Sequence, residues 1–189
     1  MTFDYAKRVA SDLPAISDVQ SLRKRARAQI ENGAVTASYP ADKARIVELL
    51  NEALATELVC VLRYRRHYFV ARGIRAKTVA VEFMEHSVEE QGHADKLAER
   101  IVQLGAEPDF NPAILIERSH AEYHDGTRLA DMVRADLVAE RIAIESYREM
   151  ILYMGDRDPT TRRLLEEILA VGEQHADDLV DLLQDKTDD

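Results

Sequence analysis

Cysteine is nearly absent from this chain: Cys60 is the only one among 189 residues. No intrachain disulfide framework can form, and such a composition suits a reducing compartment, so a cytoplasmic protein is expected. Cys60 itself reads as a small core residue. Glycine and proline are scarce, seven and five residues respectively, which together with abundant Ala, Leu, Glu and Arg favours helix. Although 46% of residues are hydrophobic, no apolar run approaches the roughly 18 residues of a membrane span. The opening Met1-Thr2-Phe3-Asp4 has no basic segment leading into an apolar stretch, so no secretory signal is expected. A basic surplus is also missing. The net charge of −10 argues against general nucleic-acid binding, whose affinity depends on neutralising phosphates.

What the sequence does contain is a succession of long periodic segments. Residues 1–40 read as an N-terminal arm with one short helix, Ile16 to Glu31, stopped by Asn32-Gly33. The arm holds the only strong basic run, Arg23-Lys24-Arg25-Ala26-Arg27, which is read as a solvated face or an oligomer contact before a nucleic-acid contact. Residues 41–185 then divide into four helices: from after Pro40 to Arg72, Lys77 to Leu104, Thr127 to Met154, and Asp158-Pro159 to Gln184. In the first, Ile46, Leu50, Leu54, Val61 and Tyr64 recur near the helical period, and Glu57 lies in the same stripe. A tail, 186–189, follows. Helices one and two, and three and four, are joined by only a few residues, so each pair is expected to form an antiparallel hairpin. The longer middle connection, with Pro108, Pro112 and Gly126, can run the length of a bundle.

The same constellation occurs twice. Glu57, Tyr64 and Glu90-Gln91-Gly92-His93 form one copy; Glu140, Tyr147 and Gly172-Glu173-Gln174-His175 form the other. Tyrosine follows glutamate by seven residues in both, and each histidine opens a His-Ala-Asp triplet. A repeat of this kind predicts a pseudo-twofold axis that gathers Glu57, Glu90, His93, Glu140 and His175 at mid-bundle. Positions i and i+3 share a helix face, so Glu90 and His93 can bind one ion or two adjacent ions. Carboxylates inside an apolar bundle need compensation, and divalent cations supply it. Mixed carboxylate and imidazole ligation suits iron or manganese, with zinc as a further occupant. Lone glutamates alternating with Glu-x-x-His helices are the pattern of carboxylate-bridged di-metal bundles.

On Asn51-Glu52-Ala53-Leu54-Ala55-Thr56-Glu57-Leu58-Val59, Glu90-Gln91-Gly92-His93-Ala94-Asp95, Asp136-Leu137-Val138-Ala139-Glu140 and His175-Ala176-Asp177, residues 42–183 resemble the ferritin-like superfamily, in its bacterioferritin and mini-ferritin branch. The resemblance implies an all-α, ferritin-like four-helix bundle of two antiparallel hairpins with one long crossover. It implies terminal or bridging roles for Glu57 and Glu140, a bridging carboxylate and an imidazole from Glu90 and His93, and a second imidazole from His175. Tyr64 would lie close to the metals, as a catalytic residue. The implied activity is oxidation of Fe(II) by dioxygen or peroxide, for iron storage or detoxification, in a homo-oligomer.

Three departures bear on this. Gly172 stands where the family supplies a bridging glutamate, and Glu173 could replace it only if a π-bulge rotated it inward. Gln91 stands where bacterioferritins ligate haem with methionine, so haem is not expected. Few residues follow the fourth helix, so the short fifth helix of the larger ferritin shells is not expected. His86, one turn before Glu90, is expected to hydrogen-bond Glu90 or support the ligands rather than ligate. Arg63, Arg65 and Arg66 are expected as oligomer contacts. Two alternatives stay open: a degenerate bundle with a mononuclear or purely structural site, and a DNA-protecting mini-ferritin supported by the Arg23–Arg27 run.

Overall fold

The computed structural model describes residues 16–74 and 76–184; the expected tail and the first fifteen residues of the arm lie outside them. The chain divides into two compact units, 1–38 and 39–189. In the first unit, helix α1 (Val19–Arg27) starts at Asp18, whose carboxylate accepts the free amides of Gln20 and Ser21. Gln29 then takes a left-handed conformation (φ 53°), and a single 3-10 turn, Ile30–Asn32, follows. The helix is therefore shorter at both ends than the Ile16–Glu31 expected from sequence. The Asp18 cap sets its start, and the extended backbone of Ala28 (φ −78°, ψ 134°) sets its end. No residue of α1 is buried.

The second unit is built on four long helices: α2 (Lys43–Val70), α3 (Ala76–Gln103), α5 (Leu129–Met154) and α6 (Pro159–Gln184). A short α4 (Leu115–Arg118) lies in the crossover between α3 and α5. No strand occurs among the described residues. Asp42 caps α2 through the Arg45 amide. Asp158 receives the Thr161 amide and opens α6, where Pro159 occupies a position whose amide has no helical partner in any case. The helices pack as two hairpins, α2 with α3 and α5 with α6, and side chains of all four meet in one core. Leu50, Leu54, Phe83, Leu97, Ile101 and Leu165 are fully buried there, each stabilising the fold by about 1.5–3 kcal/mol relative to exposure.

The crossover is held by polar side chains that α2 sends into it. Asn51 Oδ1 accepts the Asp109 amide (2.8 Å) and Thr56 Oγ1 the His120 amide (2.9 Å). Backbone groups of an irregular segment lying against a core need such partners. Arg63 does the same for a carbonyl: it donates to Glu122 O (3.0 Å) and, through Nε, to Asp136 Oδ1 (2.7 Å) with both side chains fully buried. His67 completes the network, with Nδ1 2.8 Å from Asp136 Oδ2 and Nε2 3.0 Å from His124 O. Arg63 is thus an internal anchor and not an oligomer contact, because its charge is matched by Asp136 one helix away. Arg66 likewise pairs within the chain, with Asp125 (2.7 Å), while Arg65 is exposed. Gly126 closes this corner at φ +61°. A Cβ there would lie 2.5 Å from Met132 Cγ and 3.1 Å from His67 Nε2, so only glycine fits.

Candidate metal centre

All four long helices contribute to one buried cluster: Glu57 from α2, Glu90 and His93 from α3, Glu140 from α5 and His175 from α6. None exceeds 4% exposure. His93 Nδ1 lies 3.2 Å from Glu57 Oε2 and 3.4 Å from Glu90 Oε2. His175 Nδ1 lies 3.1 Å from Glu90 Oε1 and 3.8 Å from Glu140 Oε2. Two triads result, Glu57–Glu90–His93 and Glu90–Glu140–His175, each with ligand atoms within 4.8 Å of one another. Glu90 belongs to both, one oxygen facing each histidine. The five residues that the sequence repeat singles out are thus brought together.

The tyrosines complete the arrangement by exchanging partners. Tyr64 donates to Glu140 Oε1 (2.6 Å), and Tyr147 donates to Glu57 Oε1. A seven-residue interval places glutamate and tyrosine two turns apart on one face. Because α2 and α5 pass in opposite directions, each tyrosine reaches the glutamate of the other repeat. Tyr64 therefore acts on Glu140 rather than beside the glutamate of its own helix. Both hydroxyls are fully buried, and burial followed by the adjacent carboxylate pushes each phenol well above its usual range.

Protons distribute unevenly over the metal-free cluster. Burial, then the nearby Glu90 charge, raises the Glu57 carboxyl well above the ordinary range, and the same two causes raise Glu140. Burial works against ionisation of Glu90 too, but hydrogen bonds with Glu57, His175 and His93 overcome it and hold Glu90 well below the usual value. Burial alone would depress both histidines. Hydrogen bonds to Glu57 and Glu90 nevertheless bring His93 up to about 9, and those to Glu140 and Glu90 bring His175 up to about 11. The histidines thus carry protons that offset the carboxylates, and a bound cation would take over that role.

Gly172 faces this cluster: a Cβ built there would sit 3.6 Å from Glu140 Oε2. Beside it is a cavity of about 10 Å³, bordered by Glu57, Glu90, His93, Glu140, Cys60 and Tyr147. Glu173 does not compensate. The helix is regular α through this turn, with no π-bulge, and Glu173 points outward to Arg148 Nη2 (2.7 Å). His86 is buried and makes no hydrogen bond to Glu90; of the two expected roles, its contacts are those of a residue beside the cluster. Its Nδ1 is 3.3 Å from the Tyr64 hydroxyl, and its ring stacks on His175 at 3.9 Å. Glu89, not anticipated from the sequence, approaches the outer nitrogen of His175, with Oε2 2.6 Å from Nε2. Its only sequence signal is adjacency to Glu90, which would normally imply a different helix face.

A family model described as a ferritin-like domain matches residues 47–187. A bacterioferritin of Rhodobacter capsulatus is 30% identical over 135 residues, covering 71% of this chain and 80% of that protein. A nutrient stress-induced DNA-binding protein of Synechococcus is 33% identical over 137 residues, covering 70% and 77%. Among solved structures, a bacterioferritin-related protein of Bacteroides fragilis, described as a dodecameric thioferritin, superposes with a TM-score of 0.75 at 31% identity, covering 77% of this chain and 88% of that one.

Proposed function

Because this chain belongs to the ferritin-like domain family, we propose that its buried cluster binds two iron ions and that its activity is the oxidation of Fe(II) for iron storage or detoxification. The observation that carries this reading is the sharing of Glu90: two triads of two carboxylates and one imidazole meet at a single carboxylate. Such a donor set suits iron, and manganese and zinc would compete for it. Fe(II) is here a substrate. Two ions give up one electron each, and one dioxygen takes both electrons with two protons to leave as hydrogen peroxide. With peroxide as oxidant, two electrons and two protons yield two waters. In this reading Tyr64 and Tyr147 orient Glu140 and Glu57, and Glu90 spans the pair. The Bacteroides fragilis relative is described as dodecameric, which supports a homo-oligomer.

Metal analysis per chain after anaerobic Fe(II) loading tests the proposal. About two irons are expected in the buried cluster, counted as the difference between the native chain and Glu57→Ala/Glu140→Ala, and oxygen consumption should accompany their oxidation. About one would favour a mononuclear site weakened at Gly172, and none would favour a structural bundle. A second reading, DNA retention, has one observation behind it: Arg23, Lys24, Arg25 and Arg27 lie on α1, where nothing is buried. It requires salt-sensitive binding of duplex DNA that is lost when these four residues are replaced by serine.

A further inference from the structure

A third group of ligand-type side chains lies beside the cluster and is used by nothing above. Glu82, His86 and Asp178 bring ligand atoms within 4.8 Å of one another. His86 is 2% exposed, and its Nε2 is a buried nitrogen without a hydrogen-bond partner. That nitrogen points at Glu82 Oε1 (3.5 Å) and Asp178 Oδ2 (3.8 Å). The tautomer follows from the neighbouring bonds. The single Tyr64 proton goes to Glu140 at 2.6 Å, so the Tyr64 oxygen can only accept from His86, at 3.3 Å. His86 Nδ1 then carries the ring proton, and Nε2 presents a bare lone pair. Asp178 Oδ1 already accepts from Gln174 (2.9 Å), which leaves Oδ2 turned toward the imidazole. Among the described residues three acceptors therefore converge without a donor, and no lysine or arginine pairs with either carboxylate. Groups so arranged repel unless a cation lies between them.

The internal repeat sharpens the point. His93 and His175 mark equivalent positions on α3 and α6. Moving by the same interval, the counterparts of Glu82 and His86 are Leu164 and Ile168, and that of Asp178 is Lys96. The ligand types occur on one side only, the side where His86 stacks on His175 and Glu89 approaches the outer nitrogen of His175.

We propose that Glu82, His86 and Asp178 form a third cation site, for a divalent first-row transition ion, on the outer side of His175. One imidazole and two carboxylates suit such ions, and the partial exposure of Glu82 and Asp178, 32% and 34%, gives them access from solvent. The site rests on the reading of the buried cluster only in being counted separately from it.

Cobalt(II) titration of the metal-free full chain, read by calorimetry and by visible absorption, tests the proposal. The wild type should take three equivalents and the double variant E82Q/D178N two. These positions are half-exposed, so helix content should be unchanged. The buried centre is tested by E57A/E140A, in which the outer equivalent should survive. The third site is overturned if E82Q/D178N binds as much cobalt as the wild type. It is also overturned if E57A/E140A retains its helix content and binds none. Failure of the two-ion reading shows differently, as a normal cobalt count in E57A/E140A.

Discussion

Glu57 and Glu140 are each the one carboxylate that their helix offers the cluster, and each is held by the tyrosine of the other repeat. Glu57→Ala or Glu140→Ala should remove most of the iron bound in the buried cluster while leaving far-ultraviolet circular dichroism nearly unchanged; an iron count equal to that of the native chain in both variants would refute the assignment. Gly172 is a second exposed point. Its Cβ would make ordinary contacts, so Gly172→Ala should stabilise the metal-free protein by about 1 kcal/mol through helix propensity. Gly172→Glu should instead destabilise the metal-free form by adding a buried charge beside Glu140, while increasing iron loading and oxidation rate. An unchanged loading curve would mean that a fourth carboxylate is not what the site lacks. The histidines set a pH dependence. Their ordinary value of 6.5 rises to about 9 for His93 and about 11 for His175. Their stabilising contribution is therefore complete below pH 6.5 and is lost as pH rises through 9 and beyond, by up to about 1.4 kcal/mol per pH unit for each titrating group. Glu57 and Glu140, also raised, act in the same direction from a lower starting pH, whereas the depressed Glu90 acts in the opposite one. Melting of chelator-treated protein should thus occur at lower temperature at pH 9 than at pH 6.5, and an equal or higher Tm at pH 9 would contradict this. Metal uptake at pH 7 should release protons, measurable as a buffer-dependent heat.

At the scale of elements, α2 organises the molecule: its polar side chains hold both the centre and the crossover. Asp136→Ala would strand the fully buried Arg63 and free His67, at a cost of about 3–5 kcal/mol in denaturant unfolding. A loss below about 1 kcal/mol would show that the network can rehydrate. The four long helices were legible from periodicity and the few breakers, with ends displaced by only a residue or two, whereas the arm helix is shorter than expected by three and four residues and the short α4 was not foreseen. Asp158-Pro159 is a local signal, and local signals survive folding. The Arg63–Asp136–His67 network was not legible, because an arginine in Arg63-Tyr64-Arg65-Arg66 looks like its exposed neighbours until another helix supplies the partner.

For the whole molecule, the outer faces of the bundle carry exposed apolar side chains at seven-residue intervals: Leu62 and Phe69 on α2, Val81 and Val88 on α3. Apolar stripes of this kind mark association surfaces. Light scattering at micromolar concentration should therefore give a multiple of the chain mass, and a monomeric mass would refute it. No helix among the described residues is long and apolar enough to cross a membrane.

The sequence by itself determined the repeat, the four helices and the five residues that meet at the centre, because ligand spacing at i and i+3 is a property of one helix and survives any packing. Only the tertiary structure decided how those helices share the work. Antiparallel passage of α2 and α5 gives Tyr64 to Glu140 and Tyr147 to Glu57. The regular course of α6 sends Glu173 outward to Arg148. The docking of α6 on α3 places His86 against His175 and turns its free nitrogen toward Asp178. The first and third of these join helices that are not consecutive in the chain, the second joins the two arms of one hairpin, and no periodicity within one helix specifies which neighbour its side chains will meet.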